Sequence, residues 1–197
     1  HIIERCYADI EMLPYVTEDE YKELDIFTGV DLALSSTVGA DYTVITTVGR
    51  RRKDGLKFLL DITRFKGKSM RDQLRIIQDV AKSFKPLKIY IENNGFQRVF
   101  VDEIVRDSGL PVEGFTTTAS AKNDASRGVL QLQVLFESGL FIIPRKTERC
   151  REKTDPLINE LRAFSYMDGK LQGLGAHDDC VMSLWIAIEC MNSGRFE

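Results

Sequence analysis

Asp31 in IFTGVDLALS, Glu92 in LKIYIENNG and the pair Asp178-Asp179 in GAHDDCVMSLWIAI are the residues of this chain best suited to chemistry. Asp31 and Glu92 sit at or near the ends of strand-like apolar runs, and the acidic pair opens an apolar helix. A fold that brought these places together would crowd carboxylates, which raise one another's pKa and cannot all stay ionised without a cation among them. Hard oxygen donors of this kind suit Mg²⁺ or Mn²⁺. Each acid also has a structural alternative. Asp31 could cap the SSTVGADY loop, Glu92 could be a solvated strand end, and Asp178 could cap the last helix by accepting the N–H of Val181. On a helical wheel Asp178 lies nearer than Asp179 to the stripe of Val181, Leu184, Trp185 and Ile188. That favours Asp178 as the inward ligand, with both kept as candidates.

Periodicity shows the elements that must position these acids. Residues 1–25 lack sustained periodicity and read as a linker or N-terminal arm, leaving 26–197 as one domain. IFTGVDLALS, YTVITTVGRR and LKFLLDITRF are β-branched and aromatic runs, the last two joined by the charged turn RRKDG, and they predict an antiparallel meander. SMRDQLRIIQDVAKSF has helical spacing with Ser69 as N-cap. LKIYIE, PVEGFTT and FIIP read as strands separated by the helical patterns QRVFVDEIVRDSG and ASRGVLQLQVLFESG, an alternation that implies parallel neighbours. EKTDPLINELRAFSYM predicts a helix running into a strand, MDGKLQGLG a hairpin about Asp168-Gly169, and the segment from Asp178 a deeply packed helix. The order predicts an α/β, RNase H-like fold: a central mixed sheet of five or more strands, antiparallel meander then parallel strands, with helices on both faces.

Composition narrows the functional classes. The 197 residues suffice for one domain, and the hydrophobic fraction of 43% and charged fraction of 29% are those of a soluble globular protein with no membrane role. A net charge of −3 exerts no global pull on nucleic acid, so any such binding needs a local patch. Cys6, Cys150, Cys180 and Cys190 lack CxxC spacing and read as buried thiols. The opening HIIERCYADI has neither an initiator Met nor a signal pattern, which suggests a piece of a longer protein.

Several further residues merit a place. His177 could donate to a phosphate or assist proton transfer, and Asp41 is a turn acid or an outer acidic ligand. Lys122 and Arg127 flank a predicted helix start where phosphate is readily met. Arg50, Arg51, Arg52 and Lys53 form a basic knot in the meander turn, able to grip duplex DNA, dock a partner or aid solubility. Gly67-Lys68-Ser69 imitates a phosphate-binding loop, but Ile62 stands where the upstream Gly is required, so no nucleotide site is expected. No HExxH or GxSxG pattern is present.

GVDLA followed by GADYTVI, then IYIENNG, then a GAHDD helix start, in that order, resemble the C-terminal nuclease domain of the terminase large subunit of tailed bacteriophages. The resemblance spans roughly residues 26–192. It implies an RNase H-like metal-dependent endonuclease that cuts double-stranded DNA during viral genome packaging by two-metal phosphodiester hydrolysis. It also implies metal-binding catalytic roles for Asp31, Glu92, Asp178 and Asp179: Asp31 bridging two Mg²⁺ or Mn²⁺ ions, Glu92 on one and the Asp178-Asp179 pair on the other. Many relatives carry Asp where this chain has Glu92, whose longer side chain would shift one ion outward. The implied partners are double-stranded DNA, an N-terminal ATPase domain, the portal and the small terminase subunit. The implied location is the host cytoplasm at the procapsid portal. Alternatives are an RNase H-like resolvase or integrase-type nuclease, a lobe of an actin-like ATPase, and a non-catalytic DNA- or portal-docking module.

Overall fold

The computed structural model describes residues 2–34, 41–95, 97–124, 126–167, 170–173 and 177–194. The β-branched and aromatic runs become β1 (Tyr7–Ala8), β2 (Leu24–Asp31), β3 (Thr43–Arg51), β4 (Lys57–Phe65), β5 (Lys88–Glu92), β6 (Val112–Phe115) and β7 (Phe141–Pro144). They form one seven-stranded sheet in the order β1-β7-β4-β3-β2-β5-β6. The meander β2-β3-β4 is antiparallel, while β5 joins β2 and β6 joins β5 in parallel. Two antiparallel steps make β4 run the same way as β2. The chain therefore leaves β2, β4, β5 and β6 at a single edge of the sheet.

Alternation along the strands supplies two apolar faces. One face, including Ile26, Val30, Ile45, Ile89 and Ile91, packs against α2 (Met70–Phe84) and α3 (Gln97–Asp107) through Ile77, Phe84, Val101 and Ile104. Ser69 caps α2 as its sequence predicts, accepting the N–H of Asp72. The other face, including Phe27, Val44, Leu59 and Ile62, lies under α5 (Gln131–Glu137), α6 (Glu148–Ala163) and α7 (Asp179–Ser193). Every residue of α7 from Asp179 to Met191 is buried, which accounts for an apolar pattern without a one-sided stripe. Gly29 lets α7 sit directly on β2, for a Cβ there would stand 2.2 Å from the backbone nitrogen of Ala187.

Two segments differ from expectation. Residues 2–12, read as part of an arm or linker, contribute β1, paired with β7, and bury Ile3, Cys6 and Met12 in the core. These apolar residues lie in short irregular pieces, so no period betrays them. The helical pattern of ASRGVLQLQVLFESG yields a helix only from Gln131, because the Asp124 carboxylate accepts the N–H groups of Ser126 (2.9 Å) and Arg127 (2.8 Å) and holds a turn. The predicted turn at Asp168-Gly169 lies outside the described residues, between the antiparallel β8 (Phe164–Met167) and β9 (Lys170–Gly173). The four cysteines are free and buried. Among the described residues no helix is long and apolar enough to cross a membrane.

Candidate active site

Asp31 is the last residue of β2 and Glu92 the last of β5, and Val30 and Ile91 pair in the parallel register just before them. Both acids therefore leave the sheet at its carboxyl edge, where open α/β sheets place their sites. Asp31 is only 9% exposed. Burial first, then a side-chain hydrogen bond to Glu92 and the charges of Glu92 and Asp179, hold its pKa well above the ordinary carboxylate range.

Buried amides fix the chain on either side of this pair. Gln97 donates from Nε2 to the Leu32 carbonyl (2.7 Å) and accepts the Asn94 N–H at Oε1 (3.0 Å), which ties the exit of β2 to the exit of β5. Gln73 donates to the Ala33 carbonyl (2.9 Å) and accepts the Thr43 hydroxyl (2.7 Å). The Glu92 carboxylate accepts from Asn94 Nδ2 (3.0 Å) and from the Thr117 hydroxyl. Gln97 lies close to the acidic motif in sequence, within ENNGFQ; Gln73 and Thr117 do not, and no local pattern marks them.

The third acid comes from the start of α7. Asp179 is buried, and its Oδ2 accepts the backbone N–H of Tyr42 at 3.1 Å. Burial is the main reason its pKa rises from 3.8 to about 6, with the charges of Asp41 and Glu160 adding to the rise and the Tyr42 N–H and His177 opposing it. Asp178 is half-buried, and its side chain makes no capping bond. The wheel argument favours Asp178, whereas in the structure Asp179 is the buried acid of the two and the one whose charge acts on Asp31. Asp178 precedes the helix, at φ −132° and ψ 13°, so helical phase does not carry back to it. Glu160 on α6 does the capping, its Oε2 accepting the N–H groups of Cys180 (2.7 Å) and Val181 (3.1 Å). No pattern in NELRAF announces that role.

His177 and Asp41 complete this side. His177 Nδ1 is buried without a hydrogen-bond partner, 3.5 Å from Asp179 Oδ2 and 3.8 Å from Asp41 Oδ1. One donor atom from each of the three residues falls within 4.8 Å of the others. The Tyr42 ring stands edge-on to the His177 ring at 5.1 Å. Lys122, at the end of α4 (Ala119–Lys122), is near enough for its charge to oppose the rise of the Asp31 pKa.

The remaining predicted cations lie elsewhere or are engaged. Arg127 pairs with the buried Glu189 of α7 at 3.1 Å. Arg50 and Arg52 bind Asp25 and Arg51 binds Asp54. Arg50 stands opposite Asp25, six residues before Asp31 along β2, about 20 Å from the carboxylates at ~3.3 Å per residue. The knot that includes Lys53 is thus at the opposite end of the meander.

The donors fit a divalent cation. Asp31 lies beside Glu92 and within reach of the charge of Asp179, and among the described residues Asp41, His177 and Asp179 bring one donor atom each within 4.8 Å of one another. Such a set favours hard ions of the Mg²⁺ or Mn²⁺ type. Sheet order, helices on both faces and acids at the carboxyl edge define an RNase H-like α/β domain with an acidic centre. The chain belongs to the terminase RNase H-like domain family, whose model matches residues 28–190. Its fold is similar to the large terminase nuclease of thermophilic phage G20c with bound magnesium (18% identity, TM-score 0.64, covering 88% of this chain and 82% of that one). It is also similar to the large terminase nuclease domain of Thermus phage P74-26 (17%, TM-score 0.66, 94% and 91%). The nuclease domain of the P22 large terminase matches likewise (12%, TM-score 0.66, 97% and 89%). No curated protein sequence matches the chain significantly.

Proposed function

We propose that this domain is a divalent-metal-dependent endonuclease that cuts double-stranded DNA during phage genome packaging, by two-metal phosphodiester hydrolysis. The observation that carries the reading is that Asp31 and Glu92 leave neighbouring parallel strands at one edge of the sheet, with Asp31 buried and the charge of Asp179 acting on it. The G20c nuclease, solved with magnesium, zinc and cobalt, supports divalent ions as the ligand.

Asp31, on which the charges of both other acids act, would be the shared ligand, with Glu92 on one ion and Asp179 on the other. Asp178 and Asp41 would make outer contacts. Divalent ions held there would supply Lewis acidity to the attacking water and the leaving 3′ oxygen. The protein does the positioning: Thr117 and Asn94 orient Glu92, the Tyr42 N–H orients Asp179, and Glu160 holds the start of α7. Lys122 would meet a DNA phosphate, and His177 would exchange a proton there. In the packaging machine the domain would act beside an ATPase domain, the portal and the small terminase subunit, in the host cytoplasm at the procapsid portal.

The test is plasmid cleavage by the purified domain. Mg²⁺ or Mn²⁺ should give nicked and linear products without strong sequence preference, and EDTA should stop the reaction. Cutting that persists in EDTA sinks the metal assignment.

A further inference from the structure

Gly67-Lys68-Ser69 fails as a nucleotide loop, yet it lies in the connection that leaves β4 at the same edge as Asp31. Gln73 ties this connection to the site, donating from Nε2 both to the Lys68 carbonyl (3.2 Å) and to the carbonyl of Ala33, two residues past Asp31 (2.9 Å). Four cations follow in quick succession: Arg64, Lys66, Lys68 and Arg71. Lys66, Lys68 and Arg71 are exposed, and none of the four forms an ion pair among the described residues. The one acid in the segment, Asp72, is occupied by the Ser69 hydroxyl (2.7 Å) and approached by Arg75 (3.9 Å).

Arg64 stands in register with Val44, which pairs with Asp31, so the three form one row across β4, β3 and β2. Two strand spacings separate Arg64 from Asp31, about 10 Å. The Arg64 guanidinium lies 3.4 Å from the centre of the Tyr42 ring, and Lys66 Nζ lies 4.7 Å from the same centre. Tyr42 is the residue whose N–H holds Asp179. Arg64 Nε is buried with no hydrogen-bond partner. Two cations are thus stacked at one ring beside the acidic centre with no carboxylate bonded to either among the described residues, although the Arg64 charge acts on Glu160, whereas Arg50, Arg51 and Arg52 at the far end each pair with Asp25 or Asp54.

We infer that Arg64, Lys66, Lys68 and Arg71 form a ridge that grips the phosphate backbone of duplex DNA on the β4 side of the site, opposite Lys122. The inference deepens the nuclease reading and rests on it for the identity of the ligand. Phosphate contacts carry no sequence information and fix register. The ridge therefore sets where along a strand the acids meet the backbone, and it offsets the repulsion that an acidic centre exerts on DNA.

The test is a variant carrying Lys66→Ala, Lys68→Ala and Arg71→Ala, all at exposed side chains. Duplex binding is measured over a salt series with Ca²⁺ in place of Mg²⁺, alongside Mn²⁺ titration and plasmid cleavage. The slope of log affinity against log salt should shrink by roughly 0.9 for each contact removed, with affinity lower by on the order of tenfold or more. KM should rise while kcat and Mn²⁺ affinity stay near parental, and Arg50→Ala with Arg52→Ala should keep the parental slope. An unchanged slope in the ridge variant, an equal drop in the Arg50/Arg52 variant, or a parental domain that does not bind duplex DNA overturns the ridge. Binding that depends on the ridge, with no cutting in Mg²⁺ or Mn²⁺, leaves the ridge standing and defeats the nuclease reading.

Discussion

The backbone N–H of Tyr42 donates to the carboxylate of Asp179 across 137 residues of sequence, at 3.1 Å. This bond joins the start of β3 to the start of α7. Glu160 acts on the other side of the same helix start, holding the two N–H groups that follow. The third acid is therefore placed by backbone geometry from two distant segments.

Asp31→Asn should abolish cleavage while the fold survives and DNA affinity stays equal or rises. Asn keeps the shape but removes the charge shared between ions and an anion beside the phosphate path. Loss of several kcal/mol of transition-state stabilisation is on the order of a thousandfold in rate. Glu92→Gln should behave alike, and plasmid cleavage with circular dichroism checks both. An Asp31→Asn protein that cuts at the parental rate would refute the site.

Asp179→Asn should lower activity and Mn²⁺ affinity far more than Asp178→Asn, because Asp179 is the buried acid of the two and the one whose charge acts on Asp31. Calorimetric Mn²⁺ titration of both variants decides the ranking. The reverse order would return Asp178 to the inner position.

Asp179 should contribute stability to the metal-free domain in mild acid. The folded pKa of Asp179, about 6, exceeds its ordinary 3.8, so the folded state holds the extra proton. The stabilisation is complete below about pH 4 and disappears as pH rises through about 6. Asp31 shifts in the same direction. Above pH 6, Mg²⁺ should raise the melting temperature, and this increment should fade as protons displace the ion on acidification. A melting temperature that climbs with pH between 4 and 6 in EDTA would contradict this assignment.

Glu160→Gln should retain most activity, since its amide oxygen still caps α7. Glu160→Ala orphans the Cys180 and Val181 N–H groups and should cost about 1–3 kcal/mol of stability. It should also weaken Mn²⁺ binding through misplacement of Asp179. Equal Mn²⁺ affinity in both variants would confine Glu160 to stability.

Gly29→Ala should destabilise the domain by at least the ~1–3 kcal/mol of ordinary overpacking, because the added methyl meets α7 backbone rather than a yielding side chain. The shift of the urea midpoint measures it. A neutral result would refute the direct seating of α7 on β2 at Gly29.

Sequence alone determined the meander, the parallel strands that follow it and the positions of Asp31 and Glu92 at strand ends. Period-two and helical patterns report local geometry directly, and a strand-ending acid after an apolar run is visible without knowing its neighbours. The basic residues at 50–53 were equally visible, but whether they face the site depends on which end of the sheet the turn occupies. Asp179 and Asp178 are adjacent in sequence, and their ranking rests on where the first turn of α7 begins, a boundary set by Glu160 and Tyr42 from other elements. Residues 2–12 join the core through scattered apolar contacts that have no period. Only tertiary structure decided these points, because each turns on a contact between segments far apart in the chain.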